Sequence, residues 1–180
     1  GILLKRFNEF CVSHGLALNP DKTKYMSINA RLKNSRPLKI GSDSIEKVME
    51  FDYLGIRFQS RNNWNSQITK SVLCLKHRAA AILRFASCKP FRPTSPVLEI
   101  WKSQAVSRAS YGSELWGNHQ CEKIQTAEND FLRSFLNIPS STPLTPLQLD
   151  LNIKPISRTL VLRPLLYWVR IWSTNELGNY

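Results

Sequence analysis

The sequence predicts an α+β protein: a small N-terminal helix plus an antiparallel sheet and hairpin unit, followed by an all-α helical region. Three observations lead there. Apolar residues recur at helical spacing over the first fourteen positions. Short strand-like stretches separated by turn residues follow, to about residue 62. From Asn63 onward the apolar period is helical and stays so. Hydrophobic residues make up 42% of the 180, enough for a packed core, so a disordered chain is not expected.

Taken in order, Ile2, Leu3, Phe7, Phe10, Cys11 and His14 define the first helix, and Gly15 is placed to be its left-handed cap. "LAL" and "KYMSINA" read as short strands around a turn at Asn19-Pro20-Asp21. "PLKIGSDSIEKV" reads as a hairpin turning at Gly41-Ser42-Asp43. "FDYLGIRFQ" reads as one strand, with Phe51, Tyr53, Gly55 and Arg57 on one face and Asp52, Leu54, Ile56 and Phe58 on the other. A long helix is expected from about Asn65 to Ser87. Pro90, Pro93 and Pro96 then break the pattern, with Thr94 or Ser95 capping the next helix and Gly112 stopping it. "CEKIQTAENDFLRSFLNI" is amphipathic through Ile124, Ala127, Phe131 and Phe135. A proline-punctuated connector leads to a last helix over about Ser157 to Trp172, with a kink expected at Pro164.

The net charge of +12 calls for an anionic partner, nucleic acid before an acidic membrane surface. Its distribution divides the chain into residues 1–62, 63–110 and 111–180. The first carries 11 basic and 6 acidic residues, the second 8 and 1, the third 6 and 6. The middle segment is therefore the electrostatic footprint. On its long helix, at about 100° per residue, Val72, Leu75, Ala79, Ile82 and Ala86 fall within about 40° of Ile68. Lys70, His77 and Arg84 cluster near the opposite pole. A solvated helix face would carry lysines too, but no acid occurs from Asn63 to Leu98, which favours phosphate binding.

No active site is complete. The four cysteines are widely spaced and form no C-x-x-C pair, so reduced thiols are expected and neither a disulfide framework nor a zinc knuckle. Paired aspartates of the kind that hold Mg²⁺ are absent, and Asp43, Glu46, Glu50 and Asp52 read as surface and turn residues. His14, His77 and His119 follow no nucleophile pattern, and "KIGSDS" lacks the G-K-[ST] of a phosphate loop. The five tryptophans read as core or interface residues before base-stacking platforms. There is no secretory signal and no apolar run long enough for a membrane helix, so an intracellular protein is expected, nuclear and/or cytoplasmic. The first residue, Gly1, enters the apolar helix at once, as if the chain were cut from a longer polypeptide.

Three stretches in order carry a resemblance. "FCVSHGLALNPDKTKYM" resembles motif D of the reverse transcriptases of non-LTR (LINE-type) retrotransposons: a helix ending at Gly-Leu, then N-x-x-K-T, then a strand. "EFDYLGIRF" resembles their motif E, the Y-L-G hairpin known as the primer grip. "ASYGSELWG" with "IQTAENDFLRSFLNIP" resembles the helical region after the thumb. The family's paired catalytic aspartates, which precede this helix, are not in the chain.

The resemblance implies a fragment of an RNA-directed DNA polymerase. Residues 1–62 would be the end of the palm, 63–110 the thumb and 111–180 the helical region beyond it. Lys22 would be an auxiliary catalytic residue, approaching the triphosphate and donating a proton to departing pyrophosphate. Read without the resemblance, Lys22 is a solvated turn residue. Tyr53, Leu54 and Gly55 would grip the primer, and Lys70, His77 and Arg84 would follow template–primer phosphates. The implied partners are an RNA template with its DNA primer, and the upstream palm and fingers of the parent polypeptide, with no membrane. No cofactor is expected in this chain, Mg²⁺ belonging to the parent enzyme. The alternative is a non-enzymatic, domesticated or decayed, basic nucleic-acid-binding protein. Leu3, Phe7 and Phe10 would pack on the missing palm, leaving an apolar patch here.

Overall fold

The computed structural model describes residues 2–29, 37–87 and 94–177. Cys88, Pro90 and Pro93 lie outside the described residues. The chain is α+β and divides into two compact units, Gly1–Trp64 and Asn65–Tyr180.

The first unit opens with α1, Ile2–Ser13. Its end is a Schellman cap: Gly15 is left-handed (φ 70°), its N–H bonds to the Val12 carbonyl (3.1 Å), and the Leu16 N–H reaches back to Cys11 (2.9 Å). Cys11 is buried, while Ile2, Leu3, Phe7, Phe10 and Val12 are exposed, so the expected apolar patch is present. "LAL" forms no strand. The segment after it is held as a turn instead, because the Asn19 side chain accepts from the Asp21 and Lys22 N–H groups (2.9 and 3.2 Å). Only Lys24–Tyr25 continues as strand β1.

Five further short strands follow: β2 Lys39–Ile40, β3 Asp43–Ser44, β4 Glu46–Lys47, β5 Glu50–Tyr53 and β6 Ile56–Gln59. β2 and β3 form the expected antiparallel hairpin, with Gly41 at positive φ in its turn. β1 pairs with β4 in parallel, a departure from the antiparallel expectation. It is stapled by a Lys24–Glu46 ion pair between directly opposed residues.

The largest correction is to the alternation reading of "FDYLGIRFQ", while a hairpin at Tyr53-Leu54-Gly55 is what the motif E resemblance implied. The stretch is not one strand but a hairpin, β5 against β6, turning on Leu54 and Gly55. Two loop residues reverse the parity of the alternation. Phe51 and Tyr53 therefore share a face with Ile56 and Phe58, while Glu50 and Asp52 share the other with Arg57 and Gln59. The polar face is paired: Arg57 donates twice to Asp52 (3.0 and 2.8 Å) and Gln59 donates to Glu50 (2.8 Å). Phe58 meets Trp64 at 5.5 Å between ring centroids.

The second unit is helical. α2, Asn65–Ser87, packs on α6, Cys121–Leu136, and on a continuous helical run formed by α3 (Thr94–Ile100), a π-helical segment (Trp101–Val106) and α4 (Ser107–Ala109). Ile68, Leu75, Ile82 and Ala86 are its buried apolar residues, as their spacing predicts. Trp101 lies flat on Phe131 at 3.8 Å, and Ile124, Ala127, Leu132 and Phe135 complete the α6 side of the core. After left-handed Gly112 comes α5, Ser113–Trp116, whose Trp116 is buried with its indole N–H on the Tyr111 carbonyl (3.1 Å). α7, Leu144–Asp150, leads to α8, Ile156–Leu177, which continues through Pro164. Of the tryptophans, 101 and 116 are core, 64 is half-buried, and 168 and 172 are exposed.

Candidate nucleic-acid interface

In the first unit, the two predicted features have definite local geometry. Lys22 is exposed at the end of the Asn19 turn, where the Thr23 hydroxyl also bonds to the Asn19 carbonyl (2.7 Å). It forms no salt bridge among the described residues. Lys24, two residues on, is engaged by Glu46. The turn thus fixes the Lys22 backbone while leaving its ammonium to solvent, an arrangement suited to neutralising a phosphate oxygen.

Tyr53, Leu54 and Gly55 are all exposed at the hairpin tip. Leu54 has φ 49° and Gly55 φ 83°. Positive φ at both loop residues is what a type I′ hairpin turn demands, and Asn-Gly is its preferred pair. A leucine pays for the left-handed conformation at its Cβ, and this one is 71% exposed, so no burial offsets the strain. Leu54→Asn should raise the opening free energy of the hairpin by about 1 kcal/mol. Hydrogen exchange of the Tyr53 and Ile56 amides reads that change, and slower exchange is the expected result.

In the second unit, α2 carries the predicted basic stripe. His77 and Arg84 are exposed on the side away from Ile68, Leu75 and Ile82, and Lys70 is half-buried. Lys76 is exposed as well, and Arg78 is half-buried at the flank. The stripe is interrupted by exposed Leu73, which the charge pattern alone gave no reason to single out. The Lys102–Glu99 bridge (3.1 Å) neutralises one cation of this unit within the α3–π run.

Beside the stripe lies a groove of about 270 Å³ that charge reasoning missed. Ala81, Ile82, Phe85 and Ile100 give it an apolar lining, with Arg78 and Gln104 as its polar members. Its sequence signal was Phe85, a large apolar side chain lying off the buried stripe.

Among the described residues no group of three His, Cys, Asp or Glu could hold an ion. Glu46 and Asp52 each face a cation and Glu50 accepts from Gln59. Glu46, Glu50 and Asp52 are thus held by partners within the first unit. Cys11, Cys74 and Cys121 are free thiols. Among the described residues, no helix is long and apolar enough to cross a membrane. No protein-family model matches the chain, nor does any curated protein or solved structure.

Proposed function

We propose that this chain is the palm end, thumb and following helical region of a LINE-type reverse transcriptase, acting inside the cell, in the nucleus and/or cytoplasm. It lacks the catalytic aspartates and holds the RNA–DNA duplex for a catalytic centre elsewhere in the parent enzyme. The reading rests on the motifs quoted above and on one observation, the two-sided character of α2. Its apolar line is buried against α6, and the opposite side offers His77 and Arg84 to solvent in a segment with eight basic residues and one acid. Such a face binds phosphates without reading sequence. The exposed, strained Leu54 supports a contact role for the hairpin tip, and exposed Lys22 supports a role beside a phosphate.

The test is binding to an RNA–DNA heteroduplex, measured by fluorescence anisotropy across a salt series. Lys70→Gln with Arg84→Gln should weaken binding about tenfold at moderate salt and flatten the log–log salt slope by about 2. An unchanged slope removes α2 from the interface. Leu54→Asn adds a second arm: a stiffer hairpin with weaker binding marks Leu54 as a contact, whereas a stiffer hairpin with equal binding leaves it a turn residue only.

A further inference from the structure

The first half of α8 has one side on its own unit, and beyond Pro164 the helix is largely uncovered, with residues 165–170 all exposed. Ile156, Leu160 and Pro164 are buried, facing α5 and α6, and Arg163 donates to the Ser110 carbonyl (2.7 Å). On the other side, Val161, Leu165, Trp168 and Trp172 are 43, 52, 59 and 68% exposed. Their 4-3-4 spacing keeps them within about 40° of one line along the helix, which is the seam of a helix pair. Leu162, Leu166 and Val169, also exposed, widen it. A monomer with such a face presents far more apolar surface than solubility favours.

The order of side chains along the seam identifies the occupant. Small aliphatic residues stand at one end and indoles at the other. Reversing the helix about a point between residues 166 and 167 sets Leu165 across from Trp168 and Val161 across from Trp172. Large side chains then meet small ones at every step, and the surface is complementary to itself. A parallel pairing would set Trp on Trp and Val on Val. It would also bring two copies of Arg158 side by side, whereas reversal puts them at opposite ends. The exposed parts of the seven residues set a ceiling of about 800 Å² per copy on what the pairing buries, within the range of a standard stable interface. Charge allows the union, since residues 111–180 hold six basic and six acidic side chains.

We propose that α8 pairs antiparallel with the α8 of a second copy through Val161, Leu165, Trp168 and Trp172, giving a closed two-fold dimer. This pairing is independent of the nucleic-acid reading. Sedimentation velocity of the full chain over the micromolar range tests it, with an expected mass twice the 20.7 kDa of one chain. Leu165→Lys and Trp168→Glu, each alone, should raise the dimer dissociation constant by at least about tenfold with helix content unchanged by circular dichroism. Mixing the two variants should restore dimers, because the reversed seam sets the introduced lysine against the introduced glutamate once and leaves one native Leu–Trp pair. A chain that stays monomeric overturns the proposal. So does a dimer insensitive to both substitutions, a pair of variants that mixing does not rescue, an open-ended assembly, or monomers that partition onto lipid vesicles through this helix.

Discussion

Gly117→Ala should lower the stability of the helical unit by about 3 kcal/mol, a fall in Tm of roughly 10 °C for a unit of this size. Gly117 follows α5 with an ordinary helical φ of −60°, so backbone freedom is not what requires glycine here. Close approach is. A Cβ at this position would sit 2.2 Å from the Leu160 carbonyl oxygen and 2.6 Å from that of Ser113. The Leu160 oxygen is exposed to this contact for a chemical reason. Pro164, four residues on, has no N–H to donate to it, so α8 leaves that carbonyl without its regular helical partner. The Gly117 backbone stands so near that carbonyl that a side chain has no room there. The Gly117 carbonyl is used as well, accepting from the Cys121 thiol (2.6 Å), whose pKa burial pushes up.

Because the obstruction is backbone, truncating Leu160 to alanine should not rescue Gly117→Ala. A rescue would mean the clash was with side chains. Asn118→Ala, one residue on and exposed, should leave Tm unchanged. Thermal unfolding of the three variants decides between these outcomes.

The long helix was legible because its period runs unbroken for six turns. Asn65–Ser87 is where both the apolar line and the basic line begin and end. The Gly15 cap was legible because glycine after an apolar helical run has few other uses. Hairpin β5–β6, which the Y-L-G resemblance implied, was misread from alternation for a local reason. Read straight through, "FDYLGIRFQ" alternates well enough, and Leu-Gly is an unusual type I′ pair, so nothing in the alternation announces the turn. "LAL" failed as a strand at both ends: the Leu16 N–H is drawn back into the helix cap on Cys11, and the Asn19 side chain folds the residues that follow into a turn. As for the candidate site, the basic stripe was visible in the spacing, but half-burial of Lys70 depends on neighbours that a single helix does not reveal. The groove beside Phe85 needs two elements, α2 and the α3–π run, and so has no signature in either alone.

Glu128 is the clearest case of a polar residue hidden in an apolar pattern, and its removal carries the second large expected effect. It lies four positions after Ile124 and three before Phe131, on the line that faces the core, and it is 1% exposed. It is there to finish another helix. α8 begins with N–H groups that have no partner within the helix. Glu128 Oε2 accepts from the Ile156 N–H (2.9 Å), and Gln125 Oε1 accepts from Ser157 (3.1 Å). Gln125 also donates to Glu128 (2.9 Å), so the two caps hold each other. Glu128→Ala strips an acceptor from the buried Ile156 N–H and the half-buried Gln125 amide and leaves a void, at a cost of about 3 kcal/mol.

The charge of Glu128 adds a pH signature. Burial raises its pKa above the ordinary 4.5, and the bonds from Ile156 and Gln125 pull back only part of that rise. A carboxyl whose folded pKa is raised keeps its proton longer in the folded state than in the unfolded chain. Its contribution to stability is therefore greatest in acid and declines as pH climbs from 4.5 through the folded pKa, then levels off. Glu128→Gln is neutral throughout and should lack that decline. Urea unfolding of the two proteins at a series of pH values should show the native carboxyl's advantage over glutamine shrinking as pH rises. An advantage that grows with pH would mean the carboxylate is favoured where it sits, with the helix N-terminus outweighing desolvation.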